Sequence, residues 1–294
     1  MTITEAELNS RTFGCELEYE GISQETAARA VAEVVNGTPR FAGGYYGTWE
    51  VAMADGRVWK VVSDGSLRGG AEAVSPILTY ADMPVLQEVV RKLREKGAKA
   101  NSRTGLHIHV GVKDFNGQQV ANLVKTWYKQ EELLLKAIGT LPERLGHYTQ
   151  PTDRGFIDKI CNMTNPTLEK VNEAWFGSYT PNPGHYDCHR YRTLNLNNIW
   201  GAHAKGTAEF RCYNGTTNAG RVRSAVLLSL LIVLRAARAK AASGKDQRPY
   251  TGSAKYDTRV FLIRLGANGP IFKVMRKHLT KHLPGNASWK NGRP

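Results

Sequence analysis

The chain has 294 residues, 41% of them hydrophobic and 22% charged, ordinary values for one large globular domain or two small ones. Its longest apolar run, Ala225–Leu234, is too short to span a bilayer and is interrupted by Ser229. The net charge of +14 is uneven: 16 Lys or Arg face only Asp246 and Asp257 from Arg221 onward, while the preceding residues balance to zero. That asymmetry suits a negatively charged substrate or partner, or else a solvated basic tail. No basic-then-apolar signal pattern opens the chain. Its four cysteines (Cys15, Cys161, Cys188, Cys212) form no CxxC, so a reduced, cytoplasmic setting is expected.

In chain order, Phe13–Glu20 (FGCELEYE) reads as a strand. Alternation puts Glu16, Glu18 and Glu20 on one face and Cys15, Leu17 and Tyr19 on the other. Such a face meets either water, as an edge strand, or cations, as the lining of a cleft. Ser23 caps a helix with apolar positions at Ala27, Val31, Val34 and Val35. Residues 41–47 read as a loop. Trp49–Met53 and Val58–Ser63 form a hairpin around Asp55-Gly56. A Gly-rich turn, Asp64–Gly70, leads into a strand over Ala71–Leu78. Pro84 opens a helix over Val85–Lys99. Leu106–Val112 is a short strand and Gln118–Gly139 a long amphipathic helix.

Residues 140–186 have no clean period and suggest helix fragments and loops over a cleft. Strands are expected at Arg190–Ile199 and Thr207–Tyr213. The strongly apolar Ala219–Ala242 reads as a helix behind the sheet. A polar linker, Ser243–Tyr256, precedes a basic pair of helices over Tyr256–Leu283. Residues 1–243 thus read as a catalytic domain and 244–294 as a basic helical extension. Helices inserted between hairpins predict an α+β fold with a largely antiparallel sheet. No GxGxxG follows a strand and no GxxxxGK[ST] occurs, so neither a Rossmann nor a P-loop site is supported.

Other clusters share the parity of the first strand. His107 and His109 alternate on one face, and Glu209 and Arg211 share another. Asp64 and Glu72 flank the Gly-rich turn, while Arg190, Arg192 and Asn195 lie beside Tyr191 and Trp200. Each has a plain structural reading, as hydrogen-bonded polar residues or ion pairs. Together, Glu16, Glu18, Asp64, Glu72, His107 and Glu209 supply metal-ligand groups, and the arginines supply charge for a transferring phosphoryl group.

The ordered segments FGCELE, DGSLRGGAEAVSP, GLHIHV, RTLN and GTAEFRCYNGT resemble the amidoligases, members of the glutamine synthetase and glutamate–cysteine ligase superfamily of carboxylate–amine ligases. The resemblance runs from Phe13 to about Arg221. It implies a curved, mostly antiparallel sheet, a glutamine-synthetase-like half-barrel with helices on its outer face, that takes ATP and two or three Mg²⁺ or Mn²⁺. By the same resemblance one ion would be held by Glu18, Asp64 and Glu72, and a second by Glu16, His107 and Glu209. Arg211 would contact the transferred phosphate. Arg192 and Asn195 would contact nucleotide phosphate or the substrate carboxylate, and His109 would stand behind the ligands or touch a third ion. Ser66 and Ser75 would orient the carboxylate hairpin.

The expected activity is ATP-dependent amide or isopeptide formation between a small-molecule or peptide carboxylate and an amine. A phosphagen-type kinase on a related sheet is one alternative. A nucleic-acid-binding protein is the other, using the basic region and Tyr250, Tyr256, Phe261, Phe272 and Trp289 for stacking.

Overall fold

The computed structural model describes residues 2–65, 67, 69–184, 186–202, 204–244, 246–248 and 252–291. In order, the elements are Glu5–Asn9 (α1), Phe13–Tyr19 (β1), Gln24–Val35 (α2), Pro39–Gly43 (β2), Thr48–Ala52 (β3), Val58–Ser63 (β4), Ala71–Val74 (β5), Met83–Glu95 (α3) and Gly105–Gly111 (β6). Then follow Gly117–Ile138 (α4), Pro142–His147 (α5), Arg154–Asn162 (α6), Leu168–Phe176 (α7), Leu194–Asn195 (β7), Thr207–Asn214 (β8), Ala219–Arg238 (α8), Ala254–Arg264 (α9) and Lys273–Thr280 (α10).

The strands form one curved, open sheet in the order β2-β3-β4-β5-β1-β6-β8-β7, and every named strand pairing is antiparallel. The fold is α+β. β1 sits near the middle, between β5 and β6, so Glu18 lies directly across from Glu72 and Glu16 across from His107. Cross-strand partners on one face are close neighbours. The carboxylates are therefore brought together by register, and not by loop placement.

The opposite face belongs to the core. Cys15, Leu17, Tyr19, Ile108, Val110, Phe210 and Cys212 are all buried there, in one cluster with residues of α2, α3, α4 and α8. α8 is apolar almost all round because it is covered on several sides, by α3, α4, α10 and β6. Local chemistry sets the helix ends. Asn116 and Gln119 form a reciprocal capping box at the start of α4, and Gly139 takes a left-handed φ of 73° at its end. No described helix is long and apolar enough to cross a membrane.

Several expected boundaries differ. Residues 39–43, read in part as loop, add an edge strand to β3. The strand after the Gly-rich turn stops at Val74, two residues before Pro76, which has no N–H for a ladder. The strand expected over Arg190–Ile199 contracts to Leu194–Asn195 between two 3₁₀ turns, Cys188–Tyr191 and Asn197–Ile199. Side chains capture the backbone there: Asp187 Oδ1 accepts from the His189 N–H at 2.9 Å, and Asn195 Oδ1 from the Asn197 N–H at 2.9 Å.

The basic C-terminal region shares the core. Phe261, Leu262, Phe272, Met275 and Leu279 are buried in the same cluster as α8. The Ile3 N–H bonds the Gly266 carbonyl at 3.0 Å. Phe272→Ala should therefore destabilise the whole chain by ~3–5 kcal/mol, the usual range for a buried phenylalanine. Urea unfolding followed at a probe on β1 or β6 checks this; an unshifted midpoint there would mean that the C-terminal helices fold separately.

Candidate active site

β1, β5, β6 and β8 aim their polar faces into one cleft of about 210 Å³. Glu16, Glu18, Asp64, Glu72 and His107 line it, together with Arg103, Arg144, Tyr148, Tyr186, Arg190, Tyr191 and Arg211. Acids and arginines thus share one cavity. Glu209 and His109 sit directly beside it, 3% and 6% exposed.

The two histidines knit the acids together. His107 Nδ1 lies 3.2 Å from Glu16 Oε2 and 3.7 Å from Glu209 Oε1, while its Nε2 lies 3.4 Å from Glu18 Oε1. His109 Nδ1 faces the Thr207 hydroxyl at 3.3 Å. Its Nε2 is 3.0 Å from Glu16 Oε1 but out of line for a hydrogen bond. Glu209 accepts from Arg211 Nη1 at 2.5 Å and from Asn195 Nδ2 at 2.7 Å. Glu18 Oε2 accepts from the Gly105 N–H at 2.6 Å.

The charges divide accordingly. Burial pushes the Glu16 carboxyl up, but the His109 and His107 imidazoles outweigh it and hold it well below the usual range. Burial likewise opposes ionisation of Glu209, yet Arg211 and the histidines bring it down to about 2. His109 is raised, the Glu16 and Glu209 charges overcoming its burial. Glu72 has no such help. Burial first, then the Glu16 and Glu18 charges, push its carboxyl well above the ordinary value.

Two buried polar atoms here, Glu72 Oε1 and His109 Nε2, have no hydrogen-bond partner among the described residues. Donor atoms of Glu16, Glu72 and His107 converge within 4.8 Å of one another, and so do those of Glu16, His109 and Glu209. Carboxylates and imidazoles around unsatisfied acceptors fit a hard divalent cation of the Mg²⁺ or Mn²⁺ type. The grouping differs from the expected one in two ways. Glu16 belongs to both sets, and His109 joins His107 beside Glu16 and Glu209.

The remaining expected residues separate. Asn195 and Arg211 both bind Glu209. Arg192 turns away: its Nη1 bonds the Pro151 carbonyl at 3.0 Å, and it lines a recess with Phe156, Trp175 and His189. Arg190 lines the cleft instead. Ser75 bonds the Cys15 N–H at 2.8 Å, fixing β1 from outside the cleft. Ser66 lies outside the described residues.

A family model described as "Putative amidoligase enzyme" matches residues 9–233. The chain belongs to this amidoligase family. No curated protein matches the chain. The amidoligase match takes in every residue of the cleft and ends within α8, so α9 and α10 lie beyond it.

Sequence reasoning missed two arginines of this amidoligase cleft. Arg103 lies two positions before the GLHIHV motif, and its place in that turn was the available signal. Arg144 carried no signal, since it sits in a short helix of the aperiodic middle region. It is 1% exposed and has no carboxylate partner within 4.0 Å among the described residues. Burial lowers its pKa, against the pull of Glu18. Its Nη2 reaches the Arg211 carbonyl at 3.5 Å. Gly105 makes room for it: a Cβ there would lie 2.6 Å from Arg144 Nη2 and 2.9 Å from His107 Nε2.

Glu72→Gln removes a carboxylate whose folded-state pKa is raised, so the stability that wild type loses as pH rises through that pKa is kept in the variant. In EDTA the variant should melt several degrees above wild type, with the gap growing from acid to neutral pH. Adding Mn²⁺ should raise wild type more than the variant. Thermal scans across pH with and without the ion check both parts. Gly105→Ala should lower activity on the order of 10²-fold by displacing Arg144 and His107; steady-state kinetics on the folded variant read this directly.

Proposed function

We propose that this chain is an ATP-dependent carboxylate–amine ligase that forms an amide or isopeptide bond through an acyl phosphate, assisted by two or three Mg²⁺ or Mn²⁺ ions. The observation that supports this reading is the shared cleft: an acid–imidazole cluster with unsatisfied acceptors faces arginines within one cavity.

Glu16, Glu18, Asp64, Glu72, His107, His109 and Glu209 would hold the ions, which when bound would offset the charge of a triphosphate. Arg211, bonded to Glu209, would hold the phosphoryl group as it passes to the substrate carboxylate. In that first step a carboxylate oxygen bonds to the γ-phosphorus, the β–γ bridging P–O bond breaks, and ADP leaves. Arg144 and Arg190 neutralise an acidic substrate. In the second step the amine nitrogen attacks the acyl carbon, the C–O bond to phosphate breaks, and a proton leaves the nitrogen.

At 210 Å³ the cleft suits a phosphate chain better than a whole nucleotide. Asn198, whose Nδ2 bonds Glu209 at 3.4 Å, also lines a recess of about 550 Å³ with Trp200 and Asn182. This recess is a candidate seat for the base.

Phosphate release with Mg²⁺-ATP, L-glutamate or acidic peptides, and a panel of amines tests the proposal. We expect ADP, phosphate and an amide in equal amounts. ADP with a phosphorylated product and no amide would identify a kinase. Glu16→Gln should lower ADP formation on the order of 10²–10³-fold, as expected when a charge-stabilising group at a transferring phosphoryl is lost. Wild-type turnover in that variant would remove Glu16 from the machinery.

A further inference from the structure

A second cavity, of about 460 Å³, is lined by Arg94, Ala100, Gly215, Thr216, Thr217, Asn218, Arg221, His278 and Lys281. No residue lines both it and the acidic cleft. It lies where the end of β8 runs into the N-terminus of α8, and it is walled on one side by α3 and on the other by the last turn of α10. We propose that this cavity is a binding site for phosphate groups, separate from the acidic cleft and independent of the reading given to that cleft.

Four observations carry it. Its charged and titratable lining is wholly basic or imidazole, and it contains no carboxylate. The side chains of Arg94, Arg221, His278 and Lys281 make no ion pair or hydrogen bond among the described residues, in a protein where many other surface cations are paired. The start of α8, capped by the Asn218 side chain to the Arg221 N–H, adds the positive end of a 20-residue helix. Gly220 in that first turn lets the imidazole of His278 approach: a Cβ there would lie 2.8 Å from His278 Nε2. Two planar guanidinium forks, an ammonium, an imidazole and two threonine hydroxyls match the acceptors of a phosphate better than those of a single carboxylate.

Cations crowd the imidazole. Burial and then the charges of Arg221, Lys277, Lys281 and His282 keep His278 below its ordinary pKa. A bound phosphate reverses that balance and draws a proton onto the ring. A neighbouring recess of about 360 Å³ shares Arg221 and His278 as a common wall and is lined by Ile138, Leu141, Ala225 and Leu279. It offers apolar space for the organic part of a phosphate ester. The phosphate itself could belong to a small soluble ligand or to a nucleic-acid backbone.

The test is an NMR titration of His278 in the full chain, in EDTA and at constant ionic strength. One arm uses inorganic pyrophosphate and the other a single-stranded oligonucleotide. With pyrophosphate the His278 pKa should rise. The affinity should fall about tenfold or more in Arg221→Gln/Lys281→Gln, as expected when charge-assisted bonds are removed. Both side chains are exposed, so this variant should melt as wild type does. It should also keep wild-type ADP formation, and Glu16→Gln should keep wild-type pyrophosphate affinity. Those two results separate this site from the cleft. Binding of the oligonucleotide alone, with the same loss in the double variant, would support the site and name the backbone as its source. No shift of His278 with either probe, or equal affinity in the double variant, would overturn the proposal.

Discussion

The constraint on which the rest depends is mutual repulsion among carboxylates held by strand register. Glu18 and Glu72 face each other across β1 and β5, with Glu16 one step along the same face. Backbone pairing fixes these positions, so the side chains cannot escape by sliding. The surroundings compensate for most of the charge. Arg211 and Asn195 bind Glu209, the Gly105 N–H binds Glu18, and two imidazoles bracket Glu16. Glu72 is left over: burial first, and then the Glu16 and Glu18 charges, raise its affinity for a proton. A site strained in this way gains stability from whatever cation it accepts.

Support for the cleft comes from behind. Glu131 of α4, itself buried, accepts from Trp127 Nε1 at 2.9 Å, from the Thr152 N–H at 3.0 Å and from the Thr193 hydroxyl. One carboxylate thereby ties a core helix to the two segments that flank Arg192 and β7. The Thr193 carbonyl in turn accepts from the Arg211 N–H at 2.9 Å. The guanidinium at the centre of the cleft is thus held through its backbone as well as through Glu209.

Strand parity was legible in the sequence where ladders are regular. Glu16 and Glu18, His107 and His109, and Glu209 and Arg211 all lie on strands whose other faces are apolar, and period-two reading placed each pair correctly. The same reading failed at residues 190–199, because Asp187 and Asn195 satisfy the backbone locally and break the alternation on which it relies. Arg190 and Arg192, which a strand would put on one face, consequently part: Arg190 lines the cleft and Arg192 bonds the Pro151 carbonyl. Arg144 was not legible by any local rule, since its burial is decided by contacts with distant segments, Gly105 and Arg211. That both imidazoles come within 4.0 Å of Glu16 and of Glu209 was also beyond the sequence, because β6 and β8 slip register between Leu106 and Ile108.

The near-complete burial of α8 has a bearing on how the protein is made. All of the cleft residues precede it in the chain, whereas the helix that covers one of its sides, α10, begins only at Lys273. During synthesis the residues of the acidic face therefore emerge before the helix that covers this flank of α8. Until α10 emerges, that flank of α8 is an uncovered apolar surface of the kind that chaperones bind.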